Sequence, residues 1–217
     1  MNDSKQTNKN WKKRFYLLIM INAIILFILA IYIYTPIPKK QFDISSEEYK
    51  SEESSEFVVR TGKQNLNNLV NAYLDQVLSN TEHNFSINLD EDVRLYGELP
   101  VFSKTVPLLA HFEPIVQENG DLVLKQKSIS VGQLKLPNKK IMKYIDDYLP
   151  TPKWVIIDPS KEEVYVKITE MDIKSNFRVA VEHFDIEANN IAFKIEIPYK
   201  TLGIEVLEEQ IKEEMEQ

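Results

Sequence analysis

Twenty consecutive residues from Phe15 to Tyr34, FYLLIMINAIILFILAIYIY, carry one strongly polar side chain, Asn22, and no other feature constrains the chain as much. About 20 apolar residues in helical form cover the roughly 30 Å of hydrocarbon in a bilayer, so the run predicts one transmembrane helix. Trp11, Tyr16, Tyr32 and Tyr34 stand near its ends, where amphipathic rings favour the headgroup region. A cleaved secretory signal would have a shorter apolar stretch and a small-x-small cleavage site, whereas this chain runs on as YTPIP. Five cations precede the helix (Lys5, Lys9, Lys12, Lys13 and Arg14) against Lys39 and Lys40 beyond it, which orients the N-terminus to the cytoplasm. The expectation is an uncleaved single-pass anchor in the cell membrane with the main domain extracytoplasmic.

Charge is unevenly placed along the 217 residues. The five cations against Asp3 leave the tail at +4, so the rest of a chain of net charge −7 carries −11. A domain of that sign repels nucleic acid and anionic headgroups, so no nucleic-acid partner is expected. With no cysteine in the chain, disulfides, thiolate nucleophiles and Cys-based metal sites are all excluded.

Beyond the helix the sequence divides into further regions. Residues 1–14 form the basic tail, 15–34 the membrane helix and 35–56 an acidic tether without apolar periodicity. Residues 57–203 form a β-rich domain and 204–217 an acidic C-terminal helix or tail. Within the domain, Leu66, Leu69, Val70, Tyr73, Leu74, Val77 and Leu78 recur with helical spacing, which predicts an amphipathic helix. Thr61 is its expected N-cap, with Asn67, Asn68, Asn71 and Asp75 on its wet side. From Phe85 the period becomes two, and strands are expected at 85–89, 93–99, 106–116, 121–136, 154–158, 164–171, 177–187 and 191–197. Glu118-Asn119-Gly120-Asp121 and Ala188-Asn189-Asn190 accept positive φ and predict antiparallel hairpins. The alternation slips inside 121–136, which predicts a bulge or bend. A second helix is expected from Pro137 to Tyr148.

Catalytic signatures are missing from the sequence. His83, His111 and His183 are far apart and lack His-x-x-x-His spacing; there is no Gly-x-Ser-x-Gly, Ser-x-x-Lys, His-Glu-x-x-His or phosphate-cradling glycine loop. No catalytic residue, metal site or cofactor is assigned, and the expectation is a protein that is not an enzyme. A hydrolase remains the weaker alternative, because carboxylate dyads leave no trace in sequence.

The tail, helix and TPIP exit, together with LYGELPVFSKTVPLLAHFEPIVQENGDLVLKQKSISVGQLKLP, NKKIMKYIDDYLP and WVIIDPSKEEVYVKI, resemble the YpmS-like family of membrane-anchored proteins of Gram-positive bacteria over nearly the full length. These segments are also similar, more faintly, to tubular lipid-binding domains. That second likeness implies an α+β fold, a highly curved antiparallel sheet wrapped around a long helix, and an apolar groove for a lipid or other amphiphile. The groove would be lined by Tyr73, Leu74, Val77, Phe85, Leu95, Phe102, Ile168, Phe193 and Ile195. The same residues serve equally well in a fully packed core, since periodicity reports burial and not cavity volume. Two functions therefore stand side by side: an anchored domain that binds or shields an amphiphile, and an interaction module that recruits an envelope enzyme.

Overall fold

A computed structural model describes residues 4–37, 54–79, 81, 84–101, 104–171, 173 and 176–202. The expected tail at 204–217, His83 and Phe102 lie outside the described residues. The chain divides into two compact units, residues 1–38 and 39–217.

The first unit is helix α1 (Ser4–Tyr34). Its 24-residue segment Trp11–Tyr34 is long and apolar enough to cross a membrane. Asn22 Nδ2 donates to the Leu18 carbonyl at 3.1 Å, so the one polar amide in the run is satisfied within its own helix. The Thr35 hydroxyl and N–H both donate to the Ile31 carbonyl, closing the last turn just before Pro36.

The second unit is α+β. Among the described residues it contains nine strands in two open antiparallel sheets. The larger sheet has the order β2 (Phe85–Leu89), β3 (Val93–Val101), β4 (Lys104–Val116), β5 (Leu122–Val131), β7 (Glu163–Val166), β6 (Val155–Asp158). The smaller has the order β1 (Ser54–Thr61), β9 (Asn190–Pro198), β8 (Arg178–Asp185). Helix α2 (Lys63–Leu78) follows β1, and α3 (Asn138–Tyr148) links β5 to β6. The hairpins form where positive φ was expected, at Gly120 (φ 86°) between β4 and β5 and at Asn189 (φ 51°) between β8 and β9. The slip of phase inside 121–136 is a bulge at Lys127: His111 pairs with Ser128 and Phe112 with Gln126, leaving one extra residue on β5. That strand ends at Val131, where Gly132 (φ 52°) turns the chain and Leu134 bridges back. The stretch expected as strand 164–171 stops at Val166 and continues as a 3₁₀ turn, Ile168–Glu170.

The single curved sheet wrapped around a long helix is not what the chain forms. Helix α2 does not run down the middle of a trough; it is bonded to the backbone of an edge strand. Asn71 Oδ1 accepts from the Ile87 N–H at 2.8 Å, Asn71 Nδ2 donates to the Ile87 carbonyl at 2.7 Å, and Asn67 Oδ1 accepts from the Leu89 N–H at 3.1 Å. Two asparagines expected on the wet face are thus half-buried partners of β2. The helix is correspondingly rolled, so that Leu69 of the expected stripe is 67% exposed while Leu66 and Leu78 are buried. Its N-cap is Gly62 rather than Thr61, and the Lys63 N–H is satisfied from across the fold by Asn189 Oδ1 at 2.7 Å. The main core lies between the helices and the larger sheet, around Leu108, Ala110, Phe112, Val131 and Met142. A second cluster, Leu122, Ile168 and Val181, joins the two sheets.

Candidate functional site

The residues assigned to a groove separate into different environments. Phe85 is buried over Gly97, where a Cβ would stand 2.4 Å from the ring. Leu74 and Leu95 pack on the main core, and Val77 is half-buried. Ile168 belongs to the second cluster, and Phe193 touches both. Tyr73 lies near the surface with its ring 5.7 Å from that of Trp154. Ile195 is half-buried on β9, directly opposite Phe57 of β1.

A polar cluster that sequence reasoning did not single out sits on the other face of the larger sheet. The Asp90-Glu91-Asp92 turn between β2 and β3 brings Asp92 onto the side carrying Arg94. The β3–β4 register sets Arg94 opposite His111. Arg94 Nε donates to Asp92 Oδ1 at 2.9 Å, His111 Nδ1 faces Asp92 Oδ2 at 3.1 Å, and the bulged Lys127 brings Nζ to 3.8 Å. Burial pushes the Asp92 carboxyl up, but hydrogen bonds from His111 and Arg94 outweigh it and hold the group below the usual carboxylate range. Arg94 is further bound to Asp90 at 3.1 Å and Glu91 at 3.6 Å, so its guanidinium is fully committed. The cluster locks a hairpin. The strands expected at 93–99 and 106–116 make 94 and 111 candidates for neighbours, but the register that pairs them was not read from the sequence. Among the described residues no group of three or more His, Asp or Glu side chains is arranged to hold a metal ion. His183, at the bulge in β8, is exposed.

The sheet edges differ sharply in how they are finished. An edge strand offers unpaired N–H and C=O groups, and proteins shorten, cover or charge such edges to prevent adhesion. β2 is covered by Asn67 and Asn71, and β6 has only four residues. β8 receives the β4–β5 turn, its Val181 N–H donating to the Gly120 carbonyl at 2.7 Å. β1 is eight residues long, pairs among the described residues only with β9, and exposes Phe57, Val58 and Val59 by 53%, 49% and 46%. On one face of this small sheet Phe57 and Val59 continue the apolar row of Phe193, Ile195, Val179 and Val181. On the other, Glu56, Lys194, Glu196 and Arg178 form a ladder of ion pairs at 3.3, 3.7 and 4.0 Å. β1 begins at Ser54, inside the segment expected to be tether. Its apolar residues are consecutive rather than alternating, which a period-two reading passes over.

The chain combines one helix long and apolar enough to cross a membrane with an α+β unit of open antiparallel sheets, in which β1 is a long edge strand that no other described residues cover. The chain belongs to the family DUF2140, described as an uncharacterized protein conserved in bacteria, whose sequence pattern matches residues 9–197. It is similar to Uncharacterized protein YpmS of Bacillus subtilis (strain 168), at 29% identity over 184 residues, which cover 84% of this chain and 95% of the relative. The resemblance to a YpmS-like family therefore holds over the apolar helix and the α+β unit together. The comparisons do not extend it to tubular lipid-binding domains. No solved structure matches the chain.

Proposed function

We propose that the chain is a membrane-anchored recruitment module without enzymatic activity. The helix at 11–34 crosses the cell membrane with its N-terminus inside, and the domain outside offers β1 as a docking strand to an extended segment of a partner. The observation that carries this reading is the β1 edge: eight residues, apolar at its centre, exposed, and uncovered by the other described residues where the remaining edges are capped or short. Strand addition at such an edge takes its affinity from main-chain hydrogen bonds and its selectivity from alternate side chains. The net charge of −11 beyond the tail keeps the domain off anionic headgroups and leaves the edge accessible.

The amphiphile-binding reading takes second place, because it needs the two sheets to enclose a channel lined by residues that pack against one another, Phe85, Leu74, Leu95 and Phe193 among them. One experiment separates the readings. A photo-reactive amino acid at position 57 or 59 of the full chain, irradiated in intact cells, should give adducts with polypeptide, while an environment-sensitive fatty-acid probe should show no saturable binding to the purified chain. Saturable, competable probe binding without any polypeptide adduct would reverse the order.

A further inference from the structure

The strand that forms the open edge is complementary to itself. β1 reads Ser54-Ser55-Glu56-Phe57-Val58-Val59-Arg60-Thr61. When two antiparallel copies meet edge to edge about an axis perpendicular to the sheet, the faces are preserved, so opposed residues must lie on the same face and the axis must pass through a residue. With the axis at Val58, Glu56 of each copy stands opposite Arg60 of the other, Phe57 opposite Val59, and Ser55 opposite Thr61. Every pair is of a kind that stabilises antiparallel neighbours: opposite charges, an aromatic against a β-branched side chain, and two hydroxyls. Moving the axis to Phe57 sets Glu56 against Val58, and moving it to Val59 sets Arg60 against Val58, so both neighbouring registers lose the charge pairs. Arg60 is exposed and among the described residues has no ion-pair partner, whereas Glu56 reaches Lys194 on β9 at 3.3 Å. The self-paired register supplies the missing counter-ion.

We infer that two copies of this chain join through β1, antiparallel about a two-fold axis at Val58, merging their β8-β9-β1 sheets into one six-stranded sheet. This rests on the reading of β1 as a docking strand and names the partner as a second copy. The merged sheet carries the apolar row of Phe57, Val59, Ile195 and Phe193 across the junction without a break, and likewise the charged face through Lys194, Glu56 and the partner's Arg60. Anchors held in one membrane keep the copies at high local concentration, where a short strand pair suffices.

The test uses the full chain in native membranes. Because the chain has no cysteine, Val58→Cys introduces a single thiol. Directly opposed residues in antiparallel strands have Cα atoms about 4.5 or 5.5 Å apart, both inside the range a disulfide spans. Mild oxidation should link Val58→Cys into dimers and leave Glu182→Cys, on the bulge of β8, as monomer. Adding Glu56→Lys or Arg60→Glu to the Val58→Cys chain sets like charges opposite in both pairs and should lower the linked dimer roughly tenfold. Expressed together with distinct tags, the two charge variants should form the mixed dimer at the original yield, since the introduced lysine then faces the introduced glutamate and Arg60 of one faces Glu56 of the other. The mixed pair also cancels any effect of the substitutions within one copy. Val58→Cys no more linked than Glu182→Cys, or a mixture that recovers nothing, would overturn the inference. If a photo-probe at position 57 then attaches to a different polypeptide, self-pairing fails while the docking strand stands; if it attaches only within its own chain or to nothing, both fail.

Discussion

Replacing Asn71 by alanine tests the feature of the fold that sequence reasoning placed on the wrong side of a helix. The Asn71 amide serves the Ile87 N–H at 2.8 Å and the Ile87 carbonyl at 2.7 Å, so its removal leaves one donor and one acceptor of β2 unpaired beneath α2. A buried backbone group left unsatisfied costs about 1–3 kcal/mol, and partial access of water to this half-buried site lowers the sum for two groups to about 2–4 kcal/mol. The better helix propensity of alanine returns only a few tenths of that. For a domain of this size each kcal/mol moves the melting midpoint by about 2–4 °C, which gives a fall of roughly 5–15 °C. Asn68→Ala is the control: Asn68 is exposed one position around the same helix, and the change should be neutral or slightly stabilising. Thermal and urea unfolding of residues 39–217 supplies the comparison. Equal midpoints for the two variants would refute the claim that an asparagine closes the β2 edge.

Other consequences can be checked on the same material. Asp92 is held below its ordinary value of 3.8 in the fold, so its charge stabilises the domain fully above that value and the contribution is lost as pH falls below it and through the lowered value in the fold. Wild type should therefore lose this contribution progressively as pH falls below about 4, while Asp92→Asn, weaker at pH 7 by roughly 1–3 kcal/mol, converges on it in acid; parallel curves would contradict the assignment. Gly120→Ala meets both a φ of +86° and the Ala180 Cβ 2.5 Å from the new methyl, and should cost about 1–3 kcal/mol in a urea titration. Phe57→Ser changes an exposed side chain and should alter stability by less than about 1 kcal/mol, yet reduce β1-dependent cross-linking in membranes.

Local chemistry was legible in the sequence wherever a residue's own conformation decided the outcome. The positive φ at Gly120 and Asn189 placed two hairpins, the slip between Leu124 and Ile129 located the Lys127 bulge, and Pro137 stands immediately before α3. Asn22, capped on its own helix, fits an isolated polar residue in an apolar run. What failed was non-local. Asn67 and Asn71 look the same as Asn68 in a helical stripe, because only the position of β2 decides which amide is a partner and which is wet. The separation into two sheets depends on β1 pairing with β9, between positions 130 to 144 residues apart, a contact that periodicity does not encode. Of the groove candidates Phe85 and Ile168 are buried, Leu74, Val77, Leu95, Phe193 and Ile195 are half-buried and Tyr73 is exposed; periodicity does not tell one cluster from another, so Ile168 and Phe85 were assigned to one lining although they sit in different parts of the core. β1 was missed because Phe57, Val58 and Val59 place apolar side chains on both faces, so the strand shows no period-two alternation.

The central claim, that β1 gains a strand when the chain is in its membrane, is tested most directly by amide hydrogen exchange. In a strand with one neighbour, alternate N–H groups bond inward and the rest face outward. Those bonded to β9 should exchange slowly in every state. The outward N–H groups of residues 54–61 should exchange fast in dilute anchor-free domain and be protected in the full chain in native membranes, with the centre of β9 unchanged between the two. Equal, fast exchange of the outward groups in both preparations would contradict the account, because it would mean that nothing adds to this edge where the protein works.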